Sequence, residues 1–216
     1  MLHQSQLLSH LTQRLTEPLP GIDAQLKLAP SFRPNEPPPQ GAKSSAVLAL
    51  ISYESNWKIT FIVRASGNTN DRHAGQISFP GGKHDPNTDA NLLETALRET
   101  LEEVGIPSHH INILGALTQL YIPVSNFNVQ PFVGYLPASL ANFVPEPNEV
   151  ADIITASLAD LRQQPIKNKM IDVFFGGKLI NREIPYLDLQ GHTLWGATAM
   201  IISELLEMLP SDFDTF

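Results

Sequence analysis

The chain has no cysteine among its 216 residues, which excludes disulfide scaffolds and thiolate chemistry together. Basic charge is scarce too: 14 Lys and Arg face 22 Asp and Glu, for a net charge of −8. Affinity for a nucleic-acid backbone comes from cations that neutralise phosphates, so no nucleic-acid partner is expected. A small anionic ligand stays compatible with this balance, because a bound cation outweighs the net charge locally. No apolar run approaches the ~18 residues of a membrane helix, and the opening Met-Leu-His-Gln-Ser-Gln has no basic stretch leading into an apolar one. Neither a membrane partner nor export is expected, and the cytoplasm is the default compartment. Three common catalytic signatures are also missing. There is no Gly-x-Ser-x-Gly elbow; Gly81-Gly82-Lys83 is no phosphate loop, since Ile77 and His84 stand where Gly and Ser or Thr are required; and His109-His110 lacks a third ligand at zinc spacing.

What is present suffices for one core, with 42% hydrophobic residues. Leu7, Leu8, Leu11 and Leu15 recur at helical spacing over residues 4 to 17, a stripe suited to core packing or to contact within a homodimer. Seven prolines between positions 18 and 39 then forbid regular structure, so residues 1–44 are expected to form a helix on an extended strap ahead of a domain at 45–216. Strand patterns fall at 46–53 and 58–64, a hairpin across Glu54 to Trp57, and at 111–119, 129–136, 150–156, 169–175 and 183–188. Helices are expected at 89–104, 157–163 and 194–208. This α/β pattern favours a mixed sheet sandwiched between helices.

The most informative stretch is Arg98-Glu99-Thr100-Leu101-Glu102-Glu103-Val104-Gly105-Ile106, preceded by the turn Phe79-Pro80-Gly81-Gly82. With Glu99 set at zero on a helical wheel, Glu103 falls at roughly 40° and Glu102 at roughly −60°, so the three glutamates are expected on one side. Leu93, Leu97, Leu101 and Val104 are expected on the opposite, core-facing side. Gathered carboxylates repel, and a hard divalent cation relieves that repulsion. Gly105 supplies a helix stop, and Arg98 stands at i±4 from Glu94 and Glu102. Gly81 and Gly82 allow backbone to approach a ligand or metal closely.

These residues resemble the Nudix hydrolase signature, GX5EX7REUXEEXGU with U aliphatic. Arg98, Glu99, Glu102, Glu103, Gly105 and Ile106 match its second half, whereas Ala90 and His84 stand where its early Glu and Gly would align, and Thr100 replaces an aliphatic residue. A longer loop without the early Glu is similar to the coenzyme A diphosphatase subgroup. So are Phe61-Ile62-Val63-Arg64-Ala65-Ser66 and His73-Ala74-Gly75-Gln76-Ile77-Ser78-Phe79-Pro80-Gly81-Gly82, although residues 67 to 71 lengthen the gap and Arg72 is displaced by one. With the segments at 45–50, 129–134, 149–150 and 194–202, the resemblance covers about residues 45 to 208.

The resemblance implies an α/β/α Nudix fold and a Mg2+ or Mn2+ site held by Glu99 and Glu103, with Glu102 and a carbonyl of the Gly81-Gly82 turn, that of Gly82, completing it. The general base is left among Glu102, Glu103, Glu146 and Glu149. Arg64, Arg72 and Lys83 are expected to meet substrate phosphates and Arg98 to hold the catalytic helix, while Phe127 and Tyr121 are expected to be core or surface aromatics, with the lining of an adenine or pantetheine pocket as the alternative. The implied reaction is hydrolysis of coenzyme A or acyl-coenzyme A to 4′-phosphopantetheine derivatives and adenosine 3′,5′-bisphosphate. The alternatives are a diphosphatase for ADP-ribose or a dinucleotide, and a non-catalytic nucleotide sensor.

Overall fold

The computed structural model describes residues 4–33, 36–65, 75–175 and 178–213; Arg72 and the altered stretch 67–71 lie outside them. The helices are α1 (Gln4–Arg14), α2 (Gly21–Leu26), α3 (Leu92–Val104), α4 (Leu158–Gln163) and α5 (Gly196–Glu207). The strands are β1 (Lys43–Tyr53), β2 (Trp57–Arg64), β3 (Ile77–Ser78), β4 (Gly81–Lys83), β5 (Asn112–Ala116), β6 (Leu120–Ile122), β7 (Phe127–Tyr135), β8 (Val150–Ser157), β9 (Lys167–Phe175), β10 (Lys178–Leu189) and β11 (His192–Leu194).

β1 organises the main sheet. One edge pairs antiparallel with β4 at Ser45–Val47 and then with β2 at Leu50–Tyr53, while the other edge runs parallel to β7 from Lys43↔Phe127 to Ile51↔Tyr135. A parallel pair needs a long crossover, and α3 lies within it. Strand alternation then sorts the core into two layers. Ala46, Leu48 and Leu50 join Ile62 and pack with Ala96 and Val104 of α3. Ala49 and Ile51 join Ile59, Phe61 and Val133 on the opposite face, with Leu7 and Leu11 of α1 and Ile201, Ile202 and Leu205 of α5. The expected mixed sheet between helices is therefore observed, and the α1 leucine stripe packs into the chain's own core.

Four local expectations need correction. Residues 21–29 contain no proline, and Pro20 with φ −57° opens α2 inside the strap. Glu204 of α5, fully buried, accepts hydrogen bonds from Gly21 N, Thr118 N and Gln25 Nε2 at 3.2, 3.2 and 2.8 Å, which fastens α2 to the body. The strand expected at 111–119 ends at Ala116, because the chain turns there so that Thr118 N reaches Glu204, and β6 follows beyond it at Leu120. β9, β10 and β11 form a separate three-stranded sheet rather than joining the main one. Finally, α3 begins at Leu92 rather than 89: Asn91 caps it by accepting from Glu94 N at 3.0 Å, and the Glu94 carboxylate accepts from Ala90 N at 2.9 Å.

The buried arc of α3 also differs from the expected one. Thr95, Ala96, Thr100, Glu103 and Val104 are buried, whereas Leu101 is 49% exposed. On the same wheel the arc is centred at roughly 50°, so Glu103 sits near its middle. The functional side chain is inside the core-facing surface, not opposite it.

Candidate active site

The site begins with two glycines that backbone packing requires. Gly81 has φ +151°, and a Cβ there would lie 2.3 Å from the Ala46 carbonyl oxygen and 2.5 Å from Val47 Cα. At Gly82 a Cβ would lie 2.4 to 2.6 Å from the Glu99 carboxylate, so the missing side chain is what lets that carboxylate rest on the strand. Hydrogen bonds from Leu48 N to Pro80 O and from His84 N to Ser44 O flank the pair Ala46↔Gly82. Antiparallel alternation then gives Gly82 the ladder-bonded position and Gly81 the non-bonded one. Of the two carbonyls in the turn, that of Gly81 is the one outside the ladder.

Glu103, only 2% exposed, accepts a hydrogen bond from Gly81 N at 2.8 Å and lies 3.9 Å from Arg64 Nη1. Burial pushes its pKa up to about 7; the Gly81 N–H and Arg64 oppose the rise, and the charges of Glu99 and Glu149 add to it. The pKa of Glu99 is raised as well, first by burial, against Arg98 and with the help of Glu102 and Glu149. Two partly desolvated carboxylates, one helical turn apart and facing one glycine turn, form a hard-oxygen donor set that a divalent cation fits. Among the described residues no three acidic or histidine side chains form a ready-made metal cluster. Glu102 explains why: its side chain is 54% exposed and is drawn outward to Arg98 at 2.8 Å.

Of the two partners expected for Arg98, Glu102 is observed and Glu94 is not, and a further partner, Asp89, binds the guanidinium more fully. Asp89, with its side chain 2% exposed, receives Nε at 2.7 Å and Nη2 at 3.0 Å, while the Lys83 carbonyl accepts from Nη2 at 3.3 Å. Asp89 also accepts from Asp85 N and Thr95 Oγ1 at 3.1 and 2.9 Å. Hydrogen bonding from Arg98 holds its carboxyl well below the usual carboxylate range. Asp89 thus ties the loop 83–91 to α3 from one residue before the aligned position, Ala90, and its spacing hid it from sequence alignment.

Glu149 ends the loop before β8; its carbonyl accepts from Ala65 N at 2.8 Å, beside Arg64. Its charge helps to raise the pKa of both Glu99 and Glu103, as the weakest of the influences on each. Glu146 faces away, accepting from Asn148 Nδ2 at 2.8 Å. Gly81, Gly82, Arg64 and Lys83 open onto a cleft of about 480 Å³ whose wall is largely apolar and includes Phe32, Phe127 and Trp195. Phe127 is in this wall, which was the alternative to the core or surface position expected of it, whereas the Tyr121 hydroxyl is turned to Asn126 Oδ1 at 3.0 Å. Sequence reasoning missed Arg33, Ser45, Ser78 and Trp195 in the lining. An arginine within a proline-rich strap carries no pattern that would have signalled the cleft.

The model of the NUDIX domain matches residues 43–174, well over half of the chain. The chain belongs to the Nudix family and is a hydrolase of that family; such enzymes generally need a divalent metal ion. It is 35% identical over 186 residues to an uncharacterised Nudix hydrolase, NudL, of Pectobacterium atrosepticum, covering 84% of this chain and 88% of that protein. It is also 33% identical over 180 residues to NudL of Yersinia enterocolitica, covering 82% and 89%. Among solved structures, a MutT protein from Methanosarcina mazei aligns with TM-score 0.49 at 17% identity, over 76% of this chain and 92% of that one. No helix among the described residues is long and apolar enough to cross a membrane.

Proposed function

We propose that the chain is a Mg2+- or Mn2+-dependent cytoplasmic diphosphatase that cleaves coenzyme A or acyl-coenzyme A to a 4′-phosphopantetheine derivative and adenosine 3′,5′-bisphosphate. Residues 45–216 are the catalytic domain in this reading, and residues 1–44 its strap. The observation that carries it is the pair of buried Glu103 and half-buried Glu99 against the Gly81-Gly82 turn, which itself lines a largely apolar cleft. The similarity of His73 to Gly82 to the coenzyme A subgroup supports the substrate. So does the wall of Phe32, Phe127, Val129 and Trp195, which can cover the methyl and methylene groups that lie between the amides of a pantetheine arm.

Glu99 and Glu103 would hold the metal, with the Gly81 carbonyl beside them, and Glu102 would reach it only after leaving Arg98. A divalent cation, when bound, supplies a Lewis acid that lowers the pKa of water and offsets charge on phosphate oxygens. Arg64 and Lys83 bind and orient the diphosphate from the cleft side. Glu149, in a solvent-exposed loop, is the proposed general base: it takes the proton of the water that attacks phosphorus as the bond to the bridging oxygen breaks. Arg98 keeps α3 and the loop from Lys83 in register without touching substrate.

The test is product analysis with purified protein and Mg2+ or Mn2+ on coenzyme A, acetyl-coenzyme A, NADH, ADP-ribose and diadenosine polyphosphates. The expected outcome is kcat/KM at least tenfold higher for the coenzyme A compounds, with adenosine 3′,5′-bisphosphate released. A preference for ADP-ribose removes the coenzyme A assignment, and nucleotide binding without turnover of any compound removes the enzymatic one.

A further inference from the structure

The cleft contains a cation that the hydrolytic site does not use. Arg33 reaches the wall from the strap, three residues past Pro30, and a turn bond from Arg33 N to Pro30 O at 2.9 Å fixes its backbone. The strap itself is anchored by buried Leu28 and by the Glu204 bonds to α2, so the arginine is presented by a held segment. Its guanidinium donates to the Tyr121 carbonyl on β6. Among the described residues no carboxylate forms an ion pair with it; Asp172, the acidic residue of the same lining, accepts from Asn181 Nδ2 at 2.8 Å. Burial lowers the pKa of Arg33, as expected of a cation removed from water without a counter-charge.

The sheet register sets where this cation stands. β4, β1, β7 and β6 are successive neighbours, and Tyr121↔Asn128, Asn128↔Ser44 and the His84–Ser44 bond lie on one line across them. Three strand spacings separate Tyr121 from the Gly82 strand, roughly 14 Å. Ser45 on β1, between them, and Ser78 on β3, beside β2, both line the cleft and carry buried hydroxyls with no hydrogen-bond partner among the described residues. Buried polar groups are rarely left unpaired, so a floor with two such hydroxyls and a cation at its far side has the makings of a polar ligand subsite.

We propose that Arg33 is a specificity-determining residue that binds a phosphate the substrate carries outside its scissile diphosphate. This rests on the cleft being the substrate cleft, and under the coenzyme A reading the group is the 3′-phosphate of the ribose. A guanidinium fork pairs with a phosphate dianion in two hydrogen bonds, and one of its donor edges is already oriented by Tyr121. The strap, although outside the hydrolytic machinery, is then part of substrate selection.

Calorimetric binding of adenosine 3′,5′-bisphosphate and of adenosine 5′-monophosphate to the full chain, in magnesium buffer, tests this without requiring turnover. The wild-type protein is expected to prefer the bisphosphate by at least tenfold, Arg33→Met to bind the two alike, and Arg33→Lys to retain part of the preference. Equal wild-type affinities overturn the proposal, as does a preference that survives Arg33→Met or a variant that weakens both ligands equally, which is the mark of a structural role for the strap. The wild-type product analysis above is read separately. Arg33-dependent preference for the bisphosphate without coenzyme A cleavage sinks the proposed reaction and leaves the subsite standing, while cleavage without that preference does the reverse.

Discussion

Asp89 and Glu103 are both buried carboxylates, yet their surroundings drive them in opposite directions. Asp89 meets the Arg98 fork, a backbone N–H and a hydroxyl, so its charged form is stabilised; its contribution to stability is present above the ordinary pKa of 3.8 and is lost as pH falls below it. Asp89→Asn is expected to destabilise the fold by roughly 3 kcal/mol at neutral pH, because Arg98 keeps only its more exposed partners. Urea unfolding at several pH values should also show a flatter acid limb for the variant; an unchanged midpoint would show that Arg98 does not depend on Asp89. This support for the loop was illegible in the sequence because the signature looks for a glutamate at 90, where Ala90 stands, and the shorter aspartate acts from 89. The glutamate box was legible for the reverse reason: its chemistry depends on spacing along one helix, which the chain records directly.

At the scale of elements, β4 and α3 form one unit, since both glycines of the strand are in contact range of something that a side chain would displace. The two substitutions should separate. Gly81→Ala places a methyl against the Ala46 and Val47 backbone at a positive φ, with a cost of roughly 2–4 kcal/mol in thermal or urea unfolding. Gly82→Ala meets only the end of the Glu99 side chain, which can swing away, so it should cost about 1 kcal/mol or less in stability but at least tenfold in activity. Equal effects of both on stability with activity preserved in Gly82→Ala would contradict the placement of Glu99. Helix amphipathicity located the packed arc of α3 only in part: Val104 and Leu97 pack against the layer of Ala46 and Leu48 as expected, but Ala96 also packs there and Thr100 is buried. Small residues let the helix approach the sheet closely, and Leu101 is left outside. Strands β1, β2, β7 and β8 were legible because their apolar runs are long and bounded by turns; β6 and β11, three residues each, have no periodicity to read.

Across the whole molecule, the sheet divides the work. One face carries α3, and its Glu99 and Glu103 reach the Gly81-Gly82 edge; the other carries the apolar cleft, closed by the strap and by the Trp195–Thr198 segment at the start of α5. The strap was expected to be extended, and tertiary contact through Glu204 is what holds its second helix to the body and brings Phe32 and Arg33 to the cleft wall. The central claim is that buried Glu103 and half-buried Glu99 at this edge hold a divalent ion, and Glu103 gives that claim a pH signature. Its folded pKa, about 7, is raised above the ordinary 4.5, so the metal-free fold loses stability as pH climbs through this window, and a cation must displace the retained proton. Titration of Mn2+ into the protein from pH 5.5 to 8.5 is therefore expected to show affinity rising by up to about tenfold per pH unit until about 7 and levelling above it, with Glu103→Gln binding at least tenfold more weakly at pH 8. An affinity for Mn2+ that is flat across this range and unchanged in Glu103→Gln would place the metal elsewhere and contradict the account.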